Sequence, residues 1–174
     1  MNNINKMKRK KVVKPVFTLA VILIALIMSS CGTGGSTPIS MGELDRLQLL
    51  NLDSTQFEFT KNDLRGSLLA VVFSPGCDHC QAQAQEFYQN MDKLKDVTII
   101  MIGSVPMEQI REFSEKYGLK EFQNVRFAYA SPVNALDLWM IDNLPHLALY
   151  DKEFKPIQIF ASTTSVDKIL SHLK

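Results

Sequence analysis

The sequence predicts an α/β domain with a mixed sheet, and three observations carry that prediction. Short apolar runs rich in β-branched residues alternate with amphipathic helical stretches from residue 66 onward. Residues 68–73 (LLAVVF) and 97–102 (VTIIMI) are apolar nearly throughout, as strands covered on both faces of a parallel sheet are. Residues 147–150 and 157–161 are joined by a polar turn at 151–156, which predicts a hairpin and an antiparallel edge.

The elements follow in order. Gly66 precedes the first strand, and Pro75-Gly76 stops it. From Cys77 the period changes to helical, with Cys80, Ala84, Phe87, Met91 and Leu94 on one face and Gln81, Gln85 and Gln89 on another. After the second strand, Pro106 opens a helix whose stripe is Met107, Ile110, Phe113 and Tyr117, with Gly118 as its stop. Residues 125–130 (VRFAYA) alternate as a third strand. Ser131-Pro132 then starts a short helix through Trp139. The hairpin comes next, and Val166, Ile169, Leu170 and Leu173 form a final helix capped by Thr164 or Ser165. The predicted order is β-α-β-α-β-α-β-β-α.

The first thirty residues differ in kind. Six basic residues between Lys6 and Lys14 precede thirteen uncharged residues, 16–28, and then Ser29, Ser30 and Cys31. A positive stretch, a short apolar stretch and small residues make a secretory signal, and a spanning helix wants about 20 apolar residues. Residues 1–30 are therefore expected to be a signal peptide. Residues 31–45 contain GTGGSTPIS and are expected to be a flexible tether, leaving 46–174 as the folded domain. A net charge of +1 provides no broad basic field, so no nucleic-acid partner is expected.

The chain has three cysteines. Cys77 and Cys80 form a C-x-x-C pair at a strand-to-helix junction. Unpaired N–H groups and the helix dipole favour an anion at Cys77. Protonated His79 would add to that effect, and Asp78 would oppose it. Cys80 lies one turn in, on the apolar face. This asymmetry assigns attack to Cys77 and resolution to Cys80. A zinc site wants four ligands, and the chain offers no second C-x-x-C and no paired histidines, so no metal is expected. The working group would be the Cys77–Cys80 disulfide itself, with no further cofactor.

Two resemblances extend this reading. MSSC, ending at Cys31, resembles the lipobox of bacterial lipoproteins. That resemblance implies cleavage before Cys31 and acylation of its sulfur. FEFTKNDLRGSLLAVVFSPGCDHCQ, residues 57–81, is similar to the thioredoxin-like fold, and most of all to membrane-tethered extracytoplasmic thiol–disulfide oxidoreductases. WMIDNLPHLALYDKEFKPI, residues 139–157, resembles the proline loop and hairpin of the same family, with Leu144-Pro145 in the place of its cis-proline dipeptide. The family resemblance implies a thioredoxin-like mixed sheet with flanking helices. It also implies that Leu144 and Pro145 face the sulfurs and bind substrate backbone. The substrates would be exported proteins, a membrane redox partner would restore the pair, and the protein would face the periplasm or extracytoplasmic space of the bacterial cell envelope.

The chain also departs from the family. Gly76 stands where tryptophan is common, and Val71 stands where thioredoxins keep a buried acid beneath the second cysteine. Two other functions share parts of this pattern. Ser74-x-x-Cys77 resembles the peroxiredoxin motif, yet Ala70 occupies the place of its proline. A copper-delivery module on this fold would use C-x-x-x-C with a downstream histidine. The spacing here is one residue short, and His146 is a loose match that reads better as a strand histidine with a satisfied ring.

Overall fold

The computed structural model describes residues 47–133 and 141–173. Five strands form one sheet: β1 (Ser67–Phe73), β2 (Val97–Gly103), β3 (Val125–Tyr129), β4 (His146–Tyr150) and β5 (Pro156–Phe160). Among the described residues, the helices α1 (Asp78–Gln89), α2 (Met107–Lys116) and α3 (Val166–Ser171) accompany them. The sheet order is β3-β2-β1-β4-β5. β1 pairs with β2, and β2 with β3, in parallel. β4 runs antiparallel to both β1 and β5. The mixed sheet and its hairpin edge are as the sequence predicts.

β1 and β2 are buried at every position, which explains why neither shows a polar face. Their side chains alternate between two apolar layers. Leu69, Val71 and Phe73 join Ala84 and Phe87 of α1, Ile110 and Phe113 of α2, and Val166 and Ile169 of α3. Leu68, Ala70 and Val72 join Leu47, Leu49, Phe57 and Phe154 on the other side. Each large apolar side chain fully buried this way contributes about 1.5–3 kcal/mol.

Several boundaries differ from expectation: β1 begins at Ser67, β2 ends at Gly103, β3 ends at Tyr129 and β4 begins at His146, each one residue from the predicted end, and α1 ends at Gln89, before Met91 and Leu94 of its predicted stripe. Pro106 lies outside α2 as its N-cap, with extended ψ of 132°, and the helix begins at Met107. β5 begins at Pro156 and ends at Phe160, one residue earlier at each end than predicted. Ser165 is the cap of α3, accepting from the Lys168 N–H. Pro132 and Val133 are helical, and the remainder of the helix predicted through Trp139 lies outside the described residues.

The segment before β1 has a role the sequence did not reveal. Leu50 and Tyr129 exchange two backbone hydrogen bonds, at 2.9 and 2.8 Å, which covers part of the free edge of β3. Arg126 stacks over the Phe57 ring at 3.9 Å and donates to the Glu58 carbonyl at 3.0 Å, holding the same segment down. Among the described residues, no helix is long and apolar enough to cross a membrane.

Candidate active site

The turn after β1 places the first cysteine. Cys77 N–H donates to the Ser74 carbonyl at 3.1 Å, closing the Ser-Pro-Gly turn. Cys77 is then the N-cap of α1, with extended backbone, and its carbonyl accepts the Gln81 N–H at 3.0 Å. Its side chain makes no capping bond and is partly exposed. Both sulfurs are free thiols.

The loop before β4 closes the site from the other side. The Leu144–Pro145 peptide is cis. The Cys77 thiol donates to the Leu144 carbonyl across 3.6 Å, joining residues 67 positions apart. Pro145 is buried, and Leu144 is half-buried between the two apolar layers. The structure therefore brings Cys77, Cys80, Leu144 and Pro145 together. Asp78 and His79 are exposed on the first turn of α1.

Cys80 has no exposed surface and lies in the same apolar layer as Val71. Burial pushes its thiol up to about 12. A backbone hydrogen bond at Ser74 works against that rise, while a hydrogen bond and the charge at Cys77 add to it. So Cys80 holds its proton, and Val71 gives that proton no carboxylate to go to.

His146 begins β4 and pairs with Val72, which turns its ring toward the layer opposite Cys80. It is buried, and desolvation lowers its pKa, so the ring is neutral at pH 7. The strand-histidine reading fits this placement, and the ring is held away from the sulfur side. Among the described residues, no three histidine, cysteine or acidic side chains converge as metal ligands would.

Gln83 is a site residue that sequence reasoning missed. It is fully buried, one turn after Cys80. Its amide nitrogen donates to the Thr164 carbonyl at 3.0 Å, and its amide oxygen accepts the Thr164 N–H at 2.7 Å. Thr163 donates its hydroxyl to the His79 carbonyl at 3.0 Å, and Glu86 accepts the Val166 N–H at 2.9 Å. This row latches the cysteine-bearing helix to the start of α3. The signal was present in the spacing: position 83 lies on the stripe of Cys80, Ala84 and Phe87, where a polar residue needs partners.

No protein-family model matches this chain. No curated protein matches it either. Solved structures match it in fold. A secreted Mycobacterium tuberculosis disulfide oxidoreductase, homologous to E. coli DsbE, superposes with a TM-score of 0.58 at 17% identity, covering 74% of this chain and 96% of its own. The exposed lipoprotein thioredoxin Etrx1 of Streptococcus pneumoniae gives 0.53 at 18% identity, covering 72% and 95%. StoA of Bacillus subtilis gives 0.54 at 10% identity, covering 80% and 100%. At such identities the likeness establishes the fold: the domain has the thioredoxin-like α/β architecture, a mixed sheet with flanking helices.

Proposed function

We propose that this protein is a lipid-anchored thiol–disulfide oxidoreductase of the bacterial cell envelope, acting on thiols or disulfides of exported proteins. One observation carries the reading. A partly exposed Cys77 caps a helix and meets the Leu144 carbonyl beside a cis-proline, while Cys80 waits one turn deeper as a protonated thiol. Neighbours in fold that are named as a disulfide oxidoreductase and an exposed lipoprotein thioredoxin support it.

The chemistry balances as an exchange. Cys77 thiolate attacks a substrate disulfide, forming a mixed disulfide and expelling one substrate thiolate. Cys80, once deprotonated, attacks the Cys77 sulfur, forming the Cys77–Cys80 disulfide and expelling the second substrate thiolate. Two electrons pass to the substrate, and the two thiol protons leave with them. The oxidised pair runs the same steps backward on a substrate dithiol. The Leu144-Pro145 backbone would hold the substrate chain, and Asp78 and His79 would tune the first sulfur. No cofactor enters these steps.

Cys31, at the head of the expected tether, would carry the lipid. It lies outside the described residues, as do the signal peptide and the whole tether. A membrane redox partner would reset the pair and thereby decide the direction of flow.

The test is equilibrium redox titration of the full chain in detergent, with Cys31→Ser, in glutathione and dithiothreitol buffers. Thiol trapping and mass measurement should show Cys77 and Cys80 oxidising together in one two-electron step. A potential near −270 mV marks a reductant, and about −120 to −180 mV an oxidant or isomerase. Absence of an intramolecular couple would overturn the reading.

A further inference from the structure

A hollow of about 430 Å³ opens between the turn that carries the first cysteine and one face of α2. Pro75 and Gly76 line it from the turn, and Gln109, Glu112, Phe113 and Lys116 line it from the helix. The four helical positions stand at i, i+3, i+4 and i+7, a single face. Phe113 is the apolar part of that wall. It is buried, with its ring centroid 4.7 Å from that of Phe73 and 4.6 Å from that of Tyr117. Gly76 is exposed, and a Cβ there would meet nothing within 4 Å. Its backbone is not left-handed, so the glycine answers no backbone need. It leaves the hollow open beside Cys77, one Cα step of about 3.8 Å away.

The helical wall carries charge of both signs. Elsewhere along α2 the charges find partners: Arg111 bonds Glu108, and Glu115 bonds Lys120 at 2.8 Å. Glu112 and Lys116 do not, although they stand one turn apart, a spacing at which glutamate and lysine commonly pair. Among the described residues neither joins an ion pair. Lys116 lies over the Tyr117 ring, 5.2 Å from its centroid, a contact that leaves its charge in place. Gln109 adds a carboxamide, which both donates and accepts. A ligand of one sign would meet one attraction and one repulsion here. A ligand with an ammonium and a carboxylate on one carbon meets two attractions.

We propose that this hollow is a subsite for a small disulfide whose halves are free α-amino acids, cystine being the simplest. The proposal rests on the oxidoreductase reading above and adds a substrate class to it. The ammonium of one half meets Glu112, its carboxylate meets Lys116, and its sulfur turns to the open side at Gly76. The Cys77 thiolate attacks that sulfur, forms a mixed disulfide with one cysteine and expels the other as a thiolate, which takes up a proton. Cys80, its proton given to water, attacks the Cys77 sulfur and expels the second cysteine. One cystine gains two electrons and two protons, and the Cys77–Cys80 disulfide is left. A dithiol of the membrane redox partner would reset it.

The test compares small disulfides on the full chain in detergent, with Cys31→Ser, at pH 7 and low salt. Cystine carries both charges, cystamine only the ammonium, dithiodipropionate only the carboxylate, and hydroxyethyl disulfide neither. Each rate is divided by the rate for hydroxyethyl disulfide, which cancels changes at the sulfurs. Glu112→Gln should lower the ratios for cystine and cystamine about threefold and should not lower that for dithiodipropionate. Lys116→Gln should lower the ratios for cystine and dithiodipropionate about threefold and should not lower that for cystamine. Both losses should shrink as salt is added. A cystine ratio that is the same in both variants as in the parent overturns the proposal.

A second readout needs no exchange. S-Methylcysteine keeps the amino-acid group and lacks the disulfide. Titrated while amide resonances are followed, it should shift Gly76, Glu112 and Lys116, and still resonances at all three overturn the proposal. If no disulfide is reduced but those resonances move, the oxidoreductase reading falls and the subsite stands. If hydroxyethyl disulfide is reduced and those resonances stay still, the subsite falls alone.

Discussion

Cys77 and Cys80 belong to one motif, yet the fold gives them opposite surroundings. Cys77 caps the helix, reaches solvent and touches a backbone carbonyl from the far side of the site. Cys80, three residues on, is sealed among apolar side chains, and its thiol is pushed up to about 12. The difference comes from helical geometry alone: a cap residue points out of the fold, and the residue one turn in points into its core. One sulfur is open to solvent, and the other is sealed. The unusual part is the sealed sulfur. Val71 shares the apolar layer of Cys80, and among the described residues no buried carboxylate is there to take its proton.

The largest expected effect follows from that proton. Release of a mixed disulfide needs Cys80 as thiolate, and burial, the largest cause of its raised pKa, keeps nearly all of it protonated at pH 7. Raising the pH increases the thiolate fraction, so single-turnover release should climb about tenfold per pH unit from pH 7 to 9. Rapid-quench kinetics with a peptide disulfide would show this. A flat profile would mean that another group accepts the proton.

The comparison can be broken at Val71. Val71→Asp places a carboxyl in the apolar layer that holds Cys80. Release at pH 7 should rise, and the pH profile should flatten. Stability should fall by about 3 kcal/mol, because the new group is buried in an apolar layer. Parallel release kinetics and urea unfolding check both halves.

A smaller effect tests what holds Cys80 in place. Gln83→Leu keeps the volume but strands the N–H and carbonyl of Thr164, both buried with the residue. The expected loss is about 2–4 kcal/mol, read by denaturant unfolding. Gln85→Ala, two residues on and exposed, should change stability by less than about 0.5 kcal/mol. Equal effects at positions 83 and 85 would show that the two faces of α1 are not distinct.

Those two glutamines also show how far sequence carries. The C-x-x-C at a strand-to-helix junction, the buried strands and the hairpin were legible, because each is local and leaves a pattern of period 2 or 3.6 or a turn dipeptide; Leu144-Pro145 was read only through family resemblance. The contact between Cys77 and the Leu144 carbonyl was expected only through family resemblance, since 67 residues separate the partners. The stripe marked Gln83 as a buried polar residue that needs partners, but not which ones: they are main-chain atoms of Thr164, which carry no sequence signature. The covering of β3 by Leu50 escaped for the same reason.

The central claim is that the two sulfurs have different jobs, and trapping tests it most directly. Cys77→Ser and Cys80→Ser, each in the full chain with Cys31→Ser, are mixed with a peptide disulfide, acid-quenched and weighed. Cys80→Ser should accumulate a stable mixed disulfide on Cys77, and Cys77→Ser should form none, because Cys80 is buried and protonated. Comparable adducts on both variants, or an adduct on Cys80 alone, would contradict the account.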